Sequence, residues 1–345
     1  MNEVSFYEDL SPLLDKNLSR GQLSAKEVIV KVNTFSVGDT ICATPTIRKM
    51  AQSYQKEIII CSRKPFLFEH NPYVKFHIHQ DDFKDEYYNS HEVFNTFNSI
   101  GEPDKAGIEK KYSLYDIRKI HCTEIGFDLL PSELNCDYYP GPIEFNEEDA
   151  KFLKDSSYVV IHIGKNWPSR TWDLNKYEKL IKGLNDEGYL VALVGFDQSL
   201  EPGVYKHDKS CYSFEDFSFR GVSFINRTSL DQDFYITQNA EACITMDTGQ
   251  LHLAGCTDTE IILMTTSINP HWRLPYRNGS QEYKTTCVYG ECTAFCASDP
   301  KYSVIEHETI NSVPPLPFCL EGRPNFDCHA SPEKVLSETL SVLRK

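Results

Sequence analysis

Short, β-branched apolar runs recur along the chain, and several are followed by a turn and then by a helical pattern. Glu27–Thr34 (EVIVKVNT) alternates in the manner of a strand. The turn 35–40 and a helical spacing over Ile41–Tyr54 come next, and Glu57–Cys61 (EIIIC) is a second strand. Strand, turn, helix, strand over this length is a βαβ unit, so the strands are expected to be parallel. Val74–Ile78 and Glu92–Phe97 read as further strands, and Ser113–Gly126 as a helix. Cys136–Glu147 has prolines and acids without a helical period and reads as a linker, with Asn146 opening the next helix. A second series follows. Tyr158–Ile163, Tyr189–Gly195, Ser223–Ile225, Glu241–Met246 and Glu260–Thr265 are strands, with Glu260–Thr265 expected to be the last. Asn175–Glu187, Leu230–Ala240 and Pro332–Leu343 are helices.

Two doubly wound α/β halves facing a cleft is the architecture that this order predicts. The expected boundaries are an extension over 1–26, a first half over 27–145, a second half over 146–330 and a terminal helix over 331–345. In such sheets ligands lie at the carboxyl ends of the strands. Three stretches there carry chemistry. In Ser36-Val37-Gly38-Asp39, Gly38 permits a tight turn. Asp39 is either a carboxylate able to take a proton from a hydroxyl or a cap for the helix at Ile41. In Gly164-Lys165-Asn166-Trp167-Pro168-Ser169-Arg170-Thr171-Trp172, Lys165 and Arg170 either neutralise a diphosphate leaving group or are solvated loop cations. Trp167 and Trp172 either stack on a ligand or pack. In Asp247-Thr248-Gly249-Gln250-Leu251-His252, a turn opens a helix whose unpaired amides suit an anion, with His252 an added donor. The plainer alternative makes Asp247 an N-cap, Gly249 a turn residue and His252 a surface histidine.

Charge and composition narrow the partners. A formal net charge of −15 argues against nucleic acid and allows at most peripheral contact with an anionic membrane. Met1–Leu10 carries acids where a secretory signal needs a basic start, so a cytoplasmic location is expected. Of twelve cysteines, five (Cys287, Cys292, Cys296, Cys319 and Cys328) crowd the C-terminal sixth. In a reducing compartment such a cluster suggests a metal before disulfides. The spacing is irregular for a zinc ribbon. The expectation therefore stays open between a structural Zn or Fe site and free thiols or a disulfide.

The three stretches together resemble glycosyltransferase family 9, which contains the lipopolysaccharide heptosyltransferases. The matching residues are Gly38-Asp39 followed by Thr44-Pro45-Thr46-Ile47-Arg48, Lys165-Asn166-Trp167-Pro168 with Trp172, Thr228-Ser229-Leu230, and Asp247 to Ala254 as D-[ST]-G-x-x-H-L-A. The resemblance implies a GT-B fold, with an acceptor half first and a donor half second. It implies inversion at the anomeric carbon and no catalytic metal. It implies Asp39 as general base, and Lys165, Thr248, Gly249 and His252 at the donor diphosphate, with Asp247 shaping the turn. The implied partners are a nucleotide-sugar donor, ADP-heptose first, and a glycan or protein acceptor. A UDP- or GDP-hexose donor and a non-catalytic binding protein are the alternatives. Some autotransporter heptosyltransferases hold a structural iron through four cysteines. That resemblance points to Cys292, Cys296, Cys319 and Cys328, with Cys287 as substitute. One departure stands out: the family's F-G-x-T-x-P turn is Met264-Thr265-Thr266-Ser267-Ile268-Asn269-Pro270 here, without its glycine.

Overall fold

The computed structural model describes residues 26–34, 36–96, 116–164, 170–195, 214, 217–296 and 329–345. It contains two parallel sheets. The first is built from β1 (Val28–Val32), β2 (Ile58–Ser62), β3 (Val74–His79) and β4 (Glu92–Thr96), in the order β3-β2-β1-β4. The second holds β5 (Tyr158–His162), β6 (Leu190–Val194), β7 (Gly221–Ser223), β8 (Ala242–Thr245), β9 (Glu260–Met264) and β10 (Thr285–Val288), in the order β10-β9-β8-β5-β6-β7. The α/β class and the GT-B arrangement expected from the sequence are what the chain adopts. The edge strand β10 was not expected, and it takes Cys287 into the second sheet beside Leu263. TTCV is too short to separate from a loop by its period alone.

Side-chain alternation explains the first sheet. Val28, Val30 and Val32 face one layer with Ile41, Ile47, Met50, Ile117 and Ile120, while Ile29 and Ile59 face the other. Both faces of the second sheet are buried, so its strands read as continuous apolar runs.

The expected turn before Ile41 is already helical. Ser36 caps α1 (Val37–Ile41) by accepting the Asp39 amide at 3.0 Å, and α2 (Thr44–Tyr54) starts anew with Pro45 in its first turn. The remaining helices are α3 (Tyr87–Ser90), α4 (Ile117–Glu124), α5 (Glu147–Asp155), α6 (Leu174–Asp186), α7 (Leu230–Gln238), α8 (Gly249–Ala254) and α9 (Pro332–Leu343). Asn146 and Ser229 cap α5 and α7 through their side chains. Gly188, at φ +94°, follows the end of α6. Arg48 of the T-P-x-x-R stretch pairs with Asp137 and donates to the Glu133 and Asn135 carbonyls. It therefore clamps the segment between the two sheets onto α2.

Trp172 has no exposed surface. Its Nε1 donates to the Ala330 carbonyl at 3.2 Å and its ring meets Tyr177 edge to face at 5.0 Å. Packing, not ligand stacking, is its role. Trp167 lies outside the described residues. Trp172→Ala is expected to cost about 3–5 kcal/mol in a urea titration, through the cavity and the orphaned carbonyl. A loss under about 1 kcal/mol would contradict this reading.

Candidate functional site

Each sheet has one place where the strand order reverses. In the first sheet it lies between β1 and β4, and in the second between β8 and β5. Chains leaving neighbouring strands in opposite directions open a crevice at such points. Asp39 follows β1, Arg170 follows β5 and Asp247 follows β8, so all three stand at a reversal. Gly164 is the last described residue after β5, and Lys165 lies outside the described residues.

Asp39 is the third residue of α1, not its cap. Thr34 Oγ1 donates to its Oδ2 at 3.2 Å. Its own carbonyl faces His121 Nε2 at 3.0 Å, and Thr96 Oγ1 faces His121 Nδ1 at 3.0 Å. A carbonyl only accepts, so Nε2 carries the proton and Thr96 donates to Nδ1. Burial holds His121 neutral, with a pKa lowered to about 3. The neutral ring thus braces α1 from β4. Burial also raises the Asp39 carboxyl above its usual range, opposed by Arg273 and by its Ser36 hydrogen bond. Asp247 pushes in the same direction as burial.

In the second half, Thr248 caps α8 in an extended conformation (φ −142°), and Asp247 precedes the cap. The Thr248 hydroxyl lies 3.3 Å from that of Thr245, and the Thr248 side chain makes no capping bond to α8. Asp247 Oδ2 meets Arg170 Nη2 at 3.1 Å and Arg273 Nε at 3.8 Å. Burial would raise the Asp247 carboxyl, yet the two arginines hold it below its usual range. Arg273 is 1% exposed and was not singled out in the sequence. It sits in a loop beyond β9, where no period marks it. The one signal was a cation inside the apolar stretch Trp272-Arg273-Leu274-Pro275.

The two halves meet at a pair of glycines. A Cβ on Gly38 would stand 2.6 Å from His252 Cδ2 and 3.2 Å from the Gly249 Cα. His252 is 3% exposed, so it is not a surface histidine, and its Nδ1 lies 3.2 Å from Cys42 Sγ. Burial lowers its pKa to about 3 in spite of Asp247. Arg118 on α4 adds a second bridge. It holds both oxygens of Asp116 at 2.8 and 2.7 Å, stacks on Tyr276 at 5.0 Å and reaches the Arg273 carbonyl at 3.5 Å. Phe234 and Leu253 of the second half complete the apolar layer under α2.

The geometry therefore gathers two carboxylates, Asp39 and Asp247, and two guanidinium groups, Arg170 and Arg273, where the halves touch. A carboxylate with a raised pKa can exchange a proton, and desolvated arginines can hold an oxyanion. Three of the C-terminal cysteines are described. Cys296 packs on Ile268, Cys292 is partly exposed, and burial raises the Cys287 thiol to about 11 on β10. Cys319 and Cys328 lie outside the described residues. No group of three or more metal-binding side chains occurs among the described residues.

Two predictions follow from the site. Gly38→Ala wedges α1 away from α8, so turnover is expected to fall by about tenfold or more while the far-ultraviolet dichroism stays unchanged. Equal turnover would show that the glycine contact is not needed. The second concerns acid. His121, His162 and His252 have folded pKa values of about 3 to 4 against a model-peptide value of 6.5. Below 6.5 the unfolded chain takes up protons that the folded chain refuses, so stability is full above that value and falls as pH drops toward 4. Asp39 acts with the opposite sign: its raised folded pKa makes its ionisation a penalty at neutral pH. Urea midpoints should fall on acidification, and Asp39→Asn should raise the midpoint at neutral pH.

Comparison with known proteins bears on the fold and on one stretch of the chain. Residues 128–288 match the family described as glycosyltransferase family 9 (heptosyltransferase). A search of curated proteins returned no match. Among solved structures, a family 9 glycosyl transferase from Veillonella parvula superposes with a TM-score of 0.61 at 14% identity, covering 94% of this chain and 98% of that one. The iron-containing dodecameric glycosyltransferase TibC of enterotoxigenic E. coli gives 0.64 at 12%, covering 94% and 77%. The E. coli ADP-heptose heptosyltransferase II gives 0.55 at 14%, covering 92% and 98%. No helix among the described residues is long and apolar enough to cross a membrane. The match to the glycosyltransferase family 9 model falls on the stretch that carries Asp247–His252, and the fold is one that these solved proteins share.

Proposed function

We propose that the chain is an inverting glycosyltransferase that moves a sugar, heptose from ADP-heptose, onto a hydroxyl of a glycan or protein. The observation that carries this reading is the meeting of Asp39 with the Arg170–Asp247–Arg273 cluster at the two sheet reversals. One neighbour, TibC, has been solved with ADP-D-beta-D-heptose, which supports that donor as the first to try.

In the proposed reaction the acceptor hydroxyl attacks the anomeric carbon from the face opposite the leaving diphosphate. Asp39 takes the hydroxyl proton as the new bond forms, and inversion follows from the single displacement. The bond from the anomeric carbon to the diphosphate oxygen breaks, and its electron pair leaves with the diphosphate. Arg170, Arg273 and the amides at Thr248 and Gly249 receive that charge, with Lys165 in the same role by family resemblance. Asp247 keeps the two arginines in place before the donor arrives, and the neutral His252 is the remaining hydrogen-bonding group of the turn. Burial raises the Asp39 pKa, so the acid limb of the rate profile should lie above the ordinary carboxylate range. Cysteines 292, 296, 319 and 328, with Cys287 as substitute, have no part in this chemistry. An iron or zinc held there would be structural, and metal analysis of purified protein tests it.

A thermal-shift screen against ADP, UDP, GDP, CMP and ADP-heptose tests the donor. Stabilisation by ADP, and more by ADP-heptose, is expected. Preference for UDP or GDP would discard heptose and keep the mechanism, and the buried Thr265-Thr266-Ser267 turn that replaces the family glycine makes that arm worth running. Asp39→Asn should lower kcat by about a hundredfold or more and leave the nucleotide shift in place. Unchanged turnover would remove Asp39 as the base. Arg273→Met should weaken both nucleotide binding and turnover.

A further inference from the structure

A cavity of about 600 Å³ opens where the inter-sheet segment, at Ser132–Tyr139, meets Gly255–Asp258 and Arg277–Gly279. Its volume falls in the range of small-molecule sites. Gln238 ends α7 shortly before β8, Asp258 stands just before β9, and Tyr283 just before β10. The cavity therefore lies at the amino ends of these strands, whereas Asp247 follows the carboxyl end of β8. None of Asp39, Arg170, Asp247 and His252 lines it. It is a second place on the molecule, at the opposite edge of the second sheet from the charged cluster.

Hydrogen bonds build its walls. Arg277, 6% exposed, ties three loops together. Its Nη1 donates to the carbonyls of Thr257 at 3.2 Å and Thr259 at 2.6 Å, and its Nη2 to the carbonyl of Tyr283 at 2.8 Å and to Thr285 Oγ1 at 2.9 Å. The amides of Arg277 and Ser280 each donate to the other's carbonyl at 3.0 Å, closing a two-residue turn. Asn278 and Gly279 take φ of +49° and +73° there, as such a turn requires. A Cβ on Gly279 would stand 3.6 Å from the Ser132 Cα, so the turn rests on the inter-sheet segment. On that segment Arg48 pairs with Asp137, and the Asp137 amide donates to Thr44 Oγ1 at 2.9 Å. The cavity is thus formed before a ligand arrives, which lowers the entropy cost of filling it.

The lining defines the ligand. No Val, Leu, Ile, Met, Phe or Trp occurs among its described lining residues. Ligand pockets are usually lined mainly by apolar side chains, so this one suits an apolar molecule poorly. Charged ligands are no better served. Asp137 is paired with Arg48, Asp258 with Lys284, and the terminal nitrogens of Arg277 are engaged by protein oxygens. What remains are the rings of Tyr139 and Tyr283 and the carboxamides of Asn135, Gln238 and Asn278. The Gln238 and Asn278 side chains make no hydrogen bond among the described residues. A carboxamide both donates and accepts, which matches a hydroxyl group. A tyrosine ring adds an apolar face with a polar tip. A sugar ring presents the complement of both, a face of C–H bonds edged by hydroxyls.

We propose that this cavity binds a neutral oligosaccharide, with Tyr139 and Tyr283 against the sugar rings and Asn135, Gln238 and Asn278 on their hydroxyls. The site uses none of the groups proposed for sugar transfer, so it stands or falls separately from that reading.

The test is an array of immobilised neutral and acidic glycans, probed with labelled full-length protein in the presence and absence of ADP. Binding to a subset of the neutral glycans is expected, and ADP should not displace it. Gln238 is an exposed residue at a helix end, so Gln238→Ala should melt at the same temperature as the parent protein. That variant and Tyr283→Ala should each weaken the binding by about tenfold or more. Arg273→Met, in the charged cluster, should leave it unchanged. Soluble forms of the bound glycan are then compared as competitors. Equal competition by short and long chains assigns a free oligosaccharide, and competition that grows with length assigns one end of a longer glycan. Binding to no glycan, binding confined to acidic glycans, displacement by ADP, or binding that survives both variants would each overturn the proposal.

Discussion

The contact between Gly38 and the Gly249–His252 turn is the constraint on which the site depends. A Cβ on Gly38 would run into the His252 ring and crowd the Gly249 Cα, so only glycine fits there without movement. That approach sets α1 against α8 and seals His252 under the junction. It also brings Asp39 within the field of Arg170, Arg273 and Asp247. Any side chain at residue 38 would have to move the imidazole or part the two halves. Gly38 therefore does for the cleft what a hinge pin does: it fixes the separation of groups carried by different sheets.

The charges gathered there are costly to bury, and each is compensated from an element distant in sequence. Asp247 keeps its charge because Arg170, from the loop after β5, and Arg273, from beyond β9, face it. Arg118 keeps its charge through Asp116 and then reaches across to the loop carrying Arg273. Asp39 is the least compensated of the set. Hydrogen bonds from Thr34 and Ser36 and the field of Arg273 oppose its desolvation without cancelling it. A carboxylate left in that state is a better proton acceptor than one tied into an ion pair, because its affinity for the proton is raised. The neutral His121 holds the helix beneath it and adds no charge of its own.

Residues whose surroundings are local were readable in advance. Asn146 and Ser229 stand directly before helical patterns, and both cap them. The alternation of Val28, Ile29 and Val30 mirrors the two faces of the first sheet. Residues whose roles depend on partners far along the chain were not readable. Asp39 looked as much like a cap as a base until Ser36 was found to hold that place. Arg273 and His121 lie in patterns with no motif, and only packing reveals that they face Asp39. Cys42, Cys136 and Cys256, scattered in sequence and classed as small core residues, pack into one apolar layer because α1, the inter-sheet segment and the end of α8 do.

The sequence by itself determined the parallel α/β class, the positions of most strands and helices, and the three stretches at the strand ends. Periodicity and turn chemistry act within a few residues, so they are written in the chain directly. The tertiary structure decided which half of an ambiguous motif applied. It made Trp172 a packing residue, took Cys287 into β10 and gave Arg170 its carboxylate. It also buried His252 as a neutral ring, where the plainer sequence reading had a surface histidine. Burial and long-range charge set those outcomes, and both arise only when the two sheets close on each other.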